Sequence, residues 1–308
     1  MQIIEKTTDF YLQKPSAVAI GKFDGIHLGH QKLIEMILSE SKNGFQSVIF
    51  TFDPSPTEFF GGGKVSELTT KEEKRMLFQQ MGVDVLIEFP LTNETASMDP
   101  KDFVRDILVS KMKTAFIASG KDLSFGAGGL GDSRLLQDMA DECGFQVKVI
   151  EKVCIADMEI SSSLVREEVK QGHMEKIRLL TGSPYSITGI VEHGKKLGRS
   201  IGMPTVNLMP QPRKLLPPNG VYYSEVELEQ QIYRGITNIG RKPTVSMENR
   251  IGVETFLYDF AQDVYGKQIT VSLLSFKRPE QKFQSVDELK SQMAKDISEG
   301  RYFHRGFV

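Results

Sequence analysis

At 308 residues and 34.6 kDa the chain is too long for one ordinary core and long enough for two, so two domains are expected. Its 40% hydrophobic and 25% charged residues exclude a disordered or membrane-embedded chain, and its net charge of -2 lacks the Lys and Arg surplus through which a nucleic-acid reader neutralises phosphates. Cys143 and Cys154 stand far apart without metal-ligand spacing, and the leading MQIIEKTTDFYLQKPS has neither a basic flank nor an apolar run, so a cytoplasmic location with neither nucleic acid nor membrane as partner is expected.

From Ser16 to about Leu180, short apolar strands alternate with longer helical stretches. Ala17-Val18-Ala19-Ile20 reads as a buried strand, 29–42 as a helix, Ser47–Thr51 as a strand and 70–81 as a helix. Strands at Val83–Phe89, Thr114–Ser119 and Gln146–Glu151 follow, with helices at 100–112, 132–143 and 163–171. Such alternation predicts a parallel sheet covered on both faces, which binds ligands beyond the carboxyl ends of its strands. The triplet Gly61-Gly62-Gly63 reads as a mobile loop. After Gly182-Ser183-Pro184 the pattern changes to strand-like segments near 186–192, 220–228, 231–238, 250–258 and 267–275, with helical spacing only over Val286–Tyr302. That is an antiparallel barrel or sandwich closed by a C-terminal helix. The boundary is expected near 182–186, giving domains 1–184 and 185–308. Nothing in the sequence specifies an oligomer.

The first strand runs into GKFDGIHLGH, Gly21 to His30. Glycines at 21, 25 and 29 remove side chains where the backbone turns and a nucleotide could approach, and the next helix directs its positive end to the same place. His27 and His30, three apart at the helix start, lie on one face and can donate to a phosphoryl oxygen whose charge grows as pyrophosphate leaves. An isolated pair would be an ordinary surface or core feature; the strand-Gly-helix context favours function. The HxGH element is similar to that of α/β nucleotidyltransferases, a superfamily that includes class I aminoacyl-tRNA synthetases, which implies ATP and adenylyl transfer but leaves the acceptor open.

A second element, ISSSLVR at 160–166, opens another helix. Ser161, Ser162 and Ser163 offer hydroxyls and a helix N-terminus to phosphates, and Arg166 a positive fork one turn on; a plain N-cap would account for one of these serines. FDPSP at 52–56, with Asp53 and Pro54, and SGKDLSFGAGGLGD at 119–132, with Asp122, Phe125 and Gly126, fit the same pocket. The latter suits a loop closing over an aromatic ligand, although a solvated glycine loop would read the same way.

In this order, GKFDGIHLGH, FDPSP, LSFGAGGLGD and ISSSLVR resemble the adenylyltransferase module of prokaryotic bifunctional riboflavin kinase/FAD synthetases. The resemblance implies a Rossmann-like α/β nucleotidyltransferase domain that binds ATP through Gly21, Phe23, Asp24, His27, Gly29, His30, Ser162, Ser163 and Arg166, with Mg2+ assisting. His27, His30 and Arg166 are then catalytic, and Asp53, Pro54, Asp122, Phe125 and Gly126 contact the flavin. Ser55 stands where the family commonly has His, and Ser124 where it has Arg.

VEHGKKLGRSIGMPTVNL at 191–208 is no Walker A sequence, since Lys-Ser/Thr does not follow a GxxxxG. Gly194, Gly198 and Gly202 make a loop able to fold over ATP phosphates, and Thr205 and Asn207, two apart in an extended segment, share a face and offer the oxygen ligands that Mg2+ prefers. This stretch, with ITNIGRKPTV, GVETFLYDF and SFKRPEQKF, resembles the kinase module of the same family, although Lys277 and Pro279 replace residues that are usually apolar and acidic. That resemblance implies a riboflavin kinase-like barrel with Arg199 also on ATP and Glu254 as the base for the ribityl hydroxyl. The expected function is phosphorylation of riboflavin to FMN and adenylylation of FMN to FAD. The alternatives are a monofunctional FAD synthetase with an inactive or flavin-binding barrel, a flavin-responsive regulator, and adenylyl transfer to another phosphorylated vitamin or an amino acid.

Overall fold

A computed structural model describes residues 1–156, 158–193, 203–241 and 251–306, in two compact units, Met1–Ser162 and Ser163–Val308. The first is built on a sheet of β1 (Gln2–Glu5), β2 (Ser16–Ile20), β3 (Gln46–Asp53), β4 (Val85–Pro90) and β5 (Thr114–Gly120), completed by β8 (Gln146–Ile150). Their order is β1-β4-β3-β2-β5-β8, and every neighbouring pair is parallel. β2 is buried along its whole length because both faces are covered. Ala17 and Ala19 face Leu33, Ile34 and Ile37 of the helix Leu28–Ser39, while Val18 and Ile20 face a second core with Phe103 and Leu136.

The chain lays down β3 and β4 on one side of β2 and then β5 on the other. The direction of winding therefore reverses between β2 and β5, and a crevice opens beyond their carboxyl ends. Short hairpins follow: β6 (Ser124–Phe125) with β7 (Gly131–Asp132), and β9 (Cys154–Ile155) with β10 (Met158–Glu159).

Some elements escaped the periodicity. β1 is a short parallel edge strand. The helix Pro56–Gly61 lies inside the expected binding loop FDPSP: Ser55 Oγ accepts from Glu58 N at 3.3 Å, Pro56 takes the first turn, and Gly62 ends the helix at φ 67°. The Gly61-Gly62-Gly63 run is thus in part a helix C-terminus. The expected helix over 100–112 is α-helical only at Pro100–Asp102; Phe103–Lys111 is wound as a π-helix that buries Phe103, Val104, Ile107 and Leu108.

The second unit holds a closed barrel of β11 (Tyr185–Glu192), β12 (Thr205–Leu208), β13 (Gly220–Leu228), β14 (Gln231–Arg241), β15 (Ile251–Leu257) and β16 (Gln268–Pro279). Its order is β11-β12-β15-β14-β13-β16, all antiparallel. Inside, the hydroxyls of Ser224, Thr237 and Thr255 form a chain at 2.7 and 2.8 Å, which satisfies three buried polar groups without water. Outside, the helix Val286–Gly306 packs on Val221, Tyr223, Ile236 and Tyr258. Gly300 permits the close approach, since a Cβ there would meet the Tyr258 hydroxyl at 2.2 Å. Arg278 anchors the same helix to buried Asp296, with Nη2 2.6 Å from Oδ2. The helix Met174–Thr181 packs on β11 and β16, which is why the packing break falls at 162/163. Among the described residues no helix is long and apolar enough to cross a membrane.

Candidate active sites

β2 ends at Ile20 and enters a tight turn at the crevice. Phe23, Gly25 and Ile26 take φ values of 49°, 81° and 34°, a region that side chains other than Gly rarely adopt. A Cβ on Gly25 would meet Leu68 Cδ1 at 2.8 Å, so both conformation and space require glycine there. The turn delivers Phe23 into the core, where its ring lies 5.1 Å from His30 and edge-on to Phe78 at 5.6 Å.

The two histidines meet as expected. Their rings stack at 3.8 Å with planes 20° apart, and the Nδ1 atoms of both are buried without a hydrogen-bond partner. His27 is the N-cap of Leu28–Ser39 and makes no side-chain cap bond to the first N–H groups of that helix. A Cβ on Gly29 would meet the His27 ring at 3.2 Å, so a side chain there would press on the imidazole.

Burial holds the His27 imidazole down to about 4 against an ordinary 6.5, with Asp122 and Asp24 pulling the other way. His30 is also held well below its ordinary value, by burial first and then by the neighbouring charges of His27 and Lys74. Both rings are therefore neutral at physiological pH, and each carries one N–H donor. The unfolded chain binds a proton on His27 near pH 6.5 and the folded chain only near 4, so stability present above 6.5 is lost as the pH falls through that window. The loss from His27 amounts to on the order of 3 kcal/mol. In an NMR titration of the imidazole Cε1–H signals the His27 ring is expected to stay neutral to about pH 5; titration near 6.5 would contradict its burial.

The remaining expected contacts of this unit divide. Asp24 accepts through one carboxylate oxygen from the backbone N–H groups of Leu68 at 2.9 Å and Thr69 at 3.2 Å, and Ser162 Oγ donates to the Asp24 carbonyl at 2.8 Å. Both thus brace the turn. Asp53, ahead of the cis Asp53–Pro54 peptide, is held by Lys71 Nζ at 2.6 Å, and Lys71 and Arg75 share Glu5 and buried Glu88. Asp122 is exposed at the end of β5, with its carboxylate against Gly120. Phe125 is only 3% exposed and its ring lies tilted against Phe103 in the core at 5.3 Å, while Gly126 packs against Pro100. Ser163 and Arg166 lie in the first turns of the helix Ser162–Gln171.

In the barrel, strand register does the positioning. Asn207 on β12 is directly opposite Glu254 on β15, and Glu254 is directly opposite Asn238 on β14, so the three side chains share the outer face. Thr205, two residues from Asn207, lies on that face as well, and Asn207 Nδ2 approaches Thr205 Oγ1 at 3.4 Å. A cavity of about 220 Å³, lined by Thr205, Ile236, Asn238, Glu254, Phe256 and Met293 among others, lies over it. A wider, open hollow of about 890 Å³ beside Tyr302 and Phe303 holds none of the expected residues. Gly194, Gly198, Arg199 and Gly202 lie outside the described residues. Sequence reasoning missed Asn238; its signal was the pairing of GITNIG against GVETFL, which needs register as well as pattern.

The FAD synthetase family model matches residues 10–164 and the Riboflavin kinase family model residues 181–304. The chain is 37% identical over 294 residues to the bifunctional riboflavin kinase/FMN adenylyltransferase of Escherichia coli K12, covering 94% of this chain and 93% of the relative. It is 36% identical over 299 residues to the protein of the same name from Bacillus subtilis 168, with the same coverages. A solved structure described as a macrolide-efflux protein from Streptococcus pneumoniae superimposes with a TM-score of 0.82 at 29% identity, covering 96% of this chain and 97% of that one. With both halves matched in order along nearly the whole length, the chain belongs to the bifunctional riboflavin kinase/FMN adenylyltransferase family.

Proposed function

We infer that the chain carries out two consecutive reactions on one vitamin: phosphorylation of riboflavin to FMN in the barrel, and adenylylation of FMN to FAD in the α/β unit. The observation that carries the second reaction is the stacked pair of neutral imidazoles at the head of a helix, where the winding of the parallel sheet reverses. A phosphate oxygen of FMN attacks the α-phosphorus of ATP, and the bond to the pyrophosphate oxygen breaks. The charge gathering on the departing oxygens is met by the N–H donors of His27 and His30 and by the helix N-terminus. No covalent enzyme intermediate is needed, because the attacking group is already a phosphate. The proposed ATP contacts are Gly21, Phe23, Asp24, Gly29, Ser162, Ser163 and Arg166, and the proposed flavin contacts Asp53, Pro54, Asp122, Phe125 and Gly126.

In the barrel, Glu254 takes the proton of the ribityl hydroxyl as its oxygen attacks the γ-phosphorus of ATP and ADP leaves. Gly194, Gly198, Arg199, Gly202 and Thr205 are the proposed ATP contacts. Thr205 and Asn207 supply oxygen donors fit for Mg2+, which would neutralise phosphate charge in both reactions. The functional division is proposed at 184/185, and the cytoplasm remains the proposed location.

Chromatography of products after incubation with ATP, Mg2+ and either riboflavin or FMN tests this reading. FMN and FAD are expected from riboflavin, and FAD from FMN. FAD from FMN alone would leave a monofunctional synthetase, and no product from either would leave a flavin-responsive binding protein.

A further inference from the structure

The turn that carries the histidine pair is held from outside itself. Phe23 and Ile26 at φ 49° and 34° are sparsely populated conformations, which persist only where the surroundings over-determine them. Beside the Ser162 bond to the Asp24 carbonyl, the turn is held by Thr69, a residue 44 positions further along the chain from Gly25. Thr69 Oγ1 accepts from Gly25 N at 3.0 Å, and Thr69 N donates to Asp24 Oδ1 at 3.2 Å beside Leu68 N at 2.9 Å. The clasp is reciprocal: the side chain of 69 holds the backbone of 25, and the side chain of 24 holds the backbone of 68 and 69. Thr69 is 7% exposed, so water has little access to replace either half.

The far side of the clasp is rigid. Thr70 and Glu73 form a full capping box at the start of the helix Lys71–Gln80. Phe78 of that helix meets Phe23 edge-on, and the Phe23 ring meets His30. The turn is therefore fixed at two places, by hydrogen bonds of Asp24 and Gly25 to the segment leading into this helix and by ring contact of Phe23 with the helix itself. His27 and His30 follow directly from it, and the stack at 3.8 Å is the outcome.

We propose that Thr69 is a positioning residue for adenylyl transfer: acting through Gly25 and Asp24, it sets the turn that aims the two imidazoles, without itself touching ATP or flavin. This rests on the adenylyltransferase reading of the first unit. Thr69→Val keeps the shape of the side chain and removes the acceptor, whereas Thr69→Ser keeps the acceptor. In the full-length chain, Thr69→Val is expected to lower kcat for FAD formation from FMN about thirtyfold, as small displacements of catalytic groups do, with KM for ATP and FMN changing less than about threefold. Thr69→Ser is expected to stay within about threefold of the parent, and riboflavin phosphorylation by the same preparations to be unchanged.

A Thr69→Val kcat within twofold of the parent would overturn the proposal. So would a loss carried by KM with kcat intact, which would make Thr69 a ligand contact, or a serine variant as slow as the valine one. If the unpaired Gly25 N–H prevents the valine variant from folding, as judged by melting and by circular dichroism, Thr69→Ala leaves room for water at that N–H and is read by the same criteria. A parent protein that makes no FAD at all refutes the adenylyltransferase reading instead, so the two failures are distinguishable.

Discussion

Replacing His30 with alanine is expected to cut FAD formation from supplied FMN about a hundredfold or more, because one preorganised donor to a developing phosphoryl charge typically contributes about 3 kcal/mol. The site is suited to such a contribution. The ring is fixed between Phe23 and His27 before substrate arrives. A neutral imidazole donates one N–H without having to lose a charge on binding, so the interaction strengthens only as the bridging oxygen gains charge. His27→Ala is expected to act in the same direction with a smaller effect, since its ring already interacts with the Asp122 and Asp24 charges. Both variants should convert riboflavin to FMN and accumulate it, and an unchanged melting transition of the first unit serves as the control for its folding. FAD synthesis within twofold of the parent in both variants would remove the histidine pair from the mechanism.

Much of this site was legible because its signals are local. The segment from β2 through GKFDGIHLGH announces a strand, a glycine turn and a helix in sequence, and the stacked pair lies where that order requires. Thr69 was illegible for the opposite reason: a threonine inside LTTKEEK signals only a helix cap, and the neighbouring Thr70 indeed forms that cap. Its partner, Asp24, was read as a ligand contact, yet its carboxylate accepts from two backbone N–H groups of a distant segment. Phe125 shows the complementary ambiguity. The glycines that follow it suggest an exposed loop, but a Cβ at Gly131 would meet the Phe125 ring at 2.5 Å, so the glycine there gives the buried ring room. Ser55 reads as a departure from a binding motif and is an N-cap followed by proline at the first helical position, a pattern recognisable in hindsight from Ser-Pro alone. In the barrel, β12 spans four residues and carries too little periodicity to be named as a strand, although Thr205 and Asn207 do share a face.

Glu254→Gln is expected to lower FMN formation from riboflavin by about a hundredfold or more while leaving FAD formation from supplied FMN almost unchanged. The substitution preserves size and hydrogen-bonding capacity, so what it removes is the ability to take a proton. Glu254 is well placed to show this, because β15 is paired on both edges and its backbone is fixed by Asn207 on one side and Asn238 on the other. The side chain faces the cavity over the barrel's outer surface together with Thr205. Both reactions consume ATP, but each compact unit has its own core, and the histidine pair and the carboxylate belong to different units. Separate sites predict mirror-image phenotypes: the Glu254 variant makes FAD when given FMN, and the His30 variant stops at FMN when given riboflavin. If the parent never converts riboflavin, the barrel is not a working kinase. If Glu254→Gln slows both reactions equally while the protein remains folded, the two sites are not independent, and a step in the barrel must control adenylyl transfer.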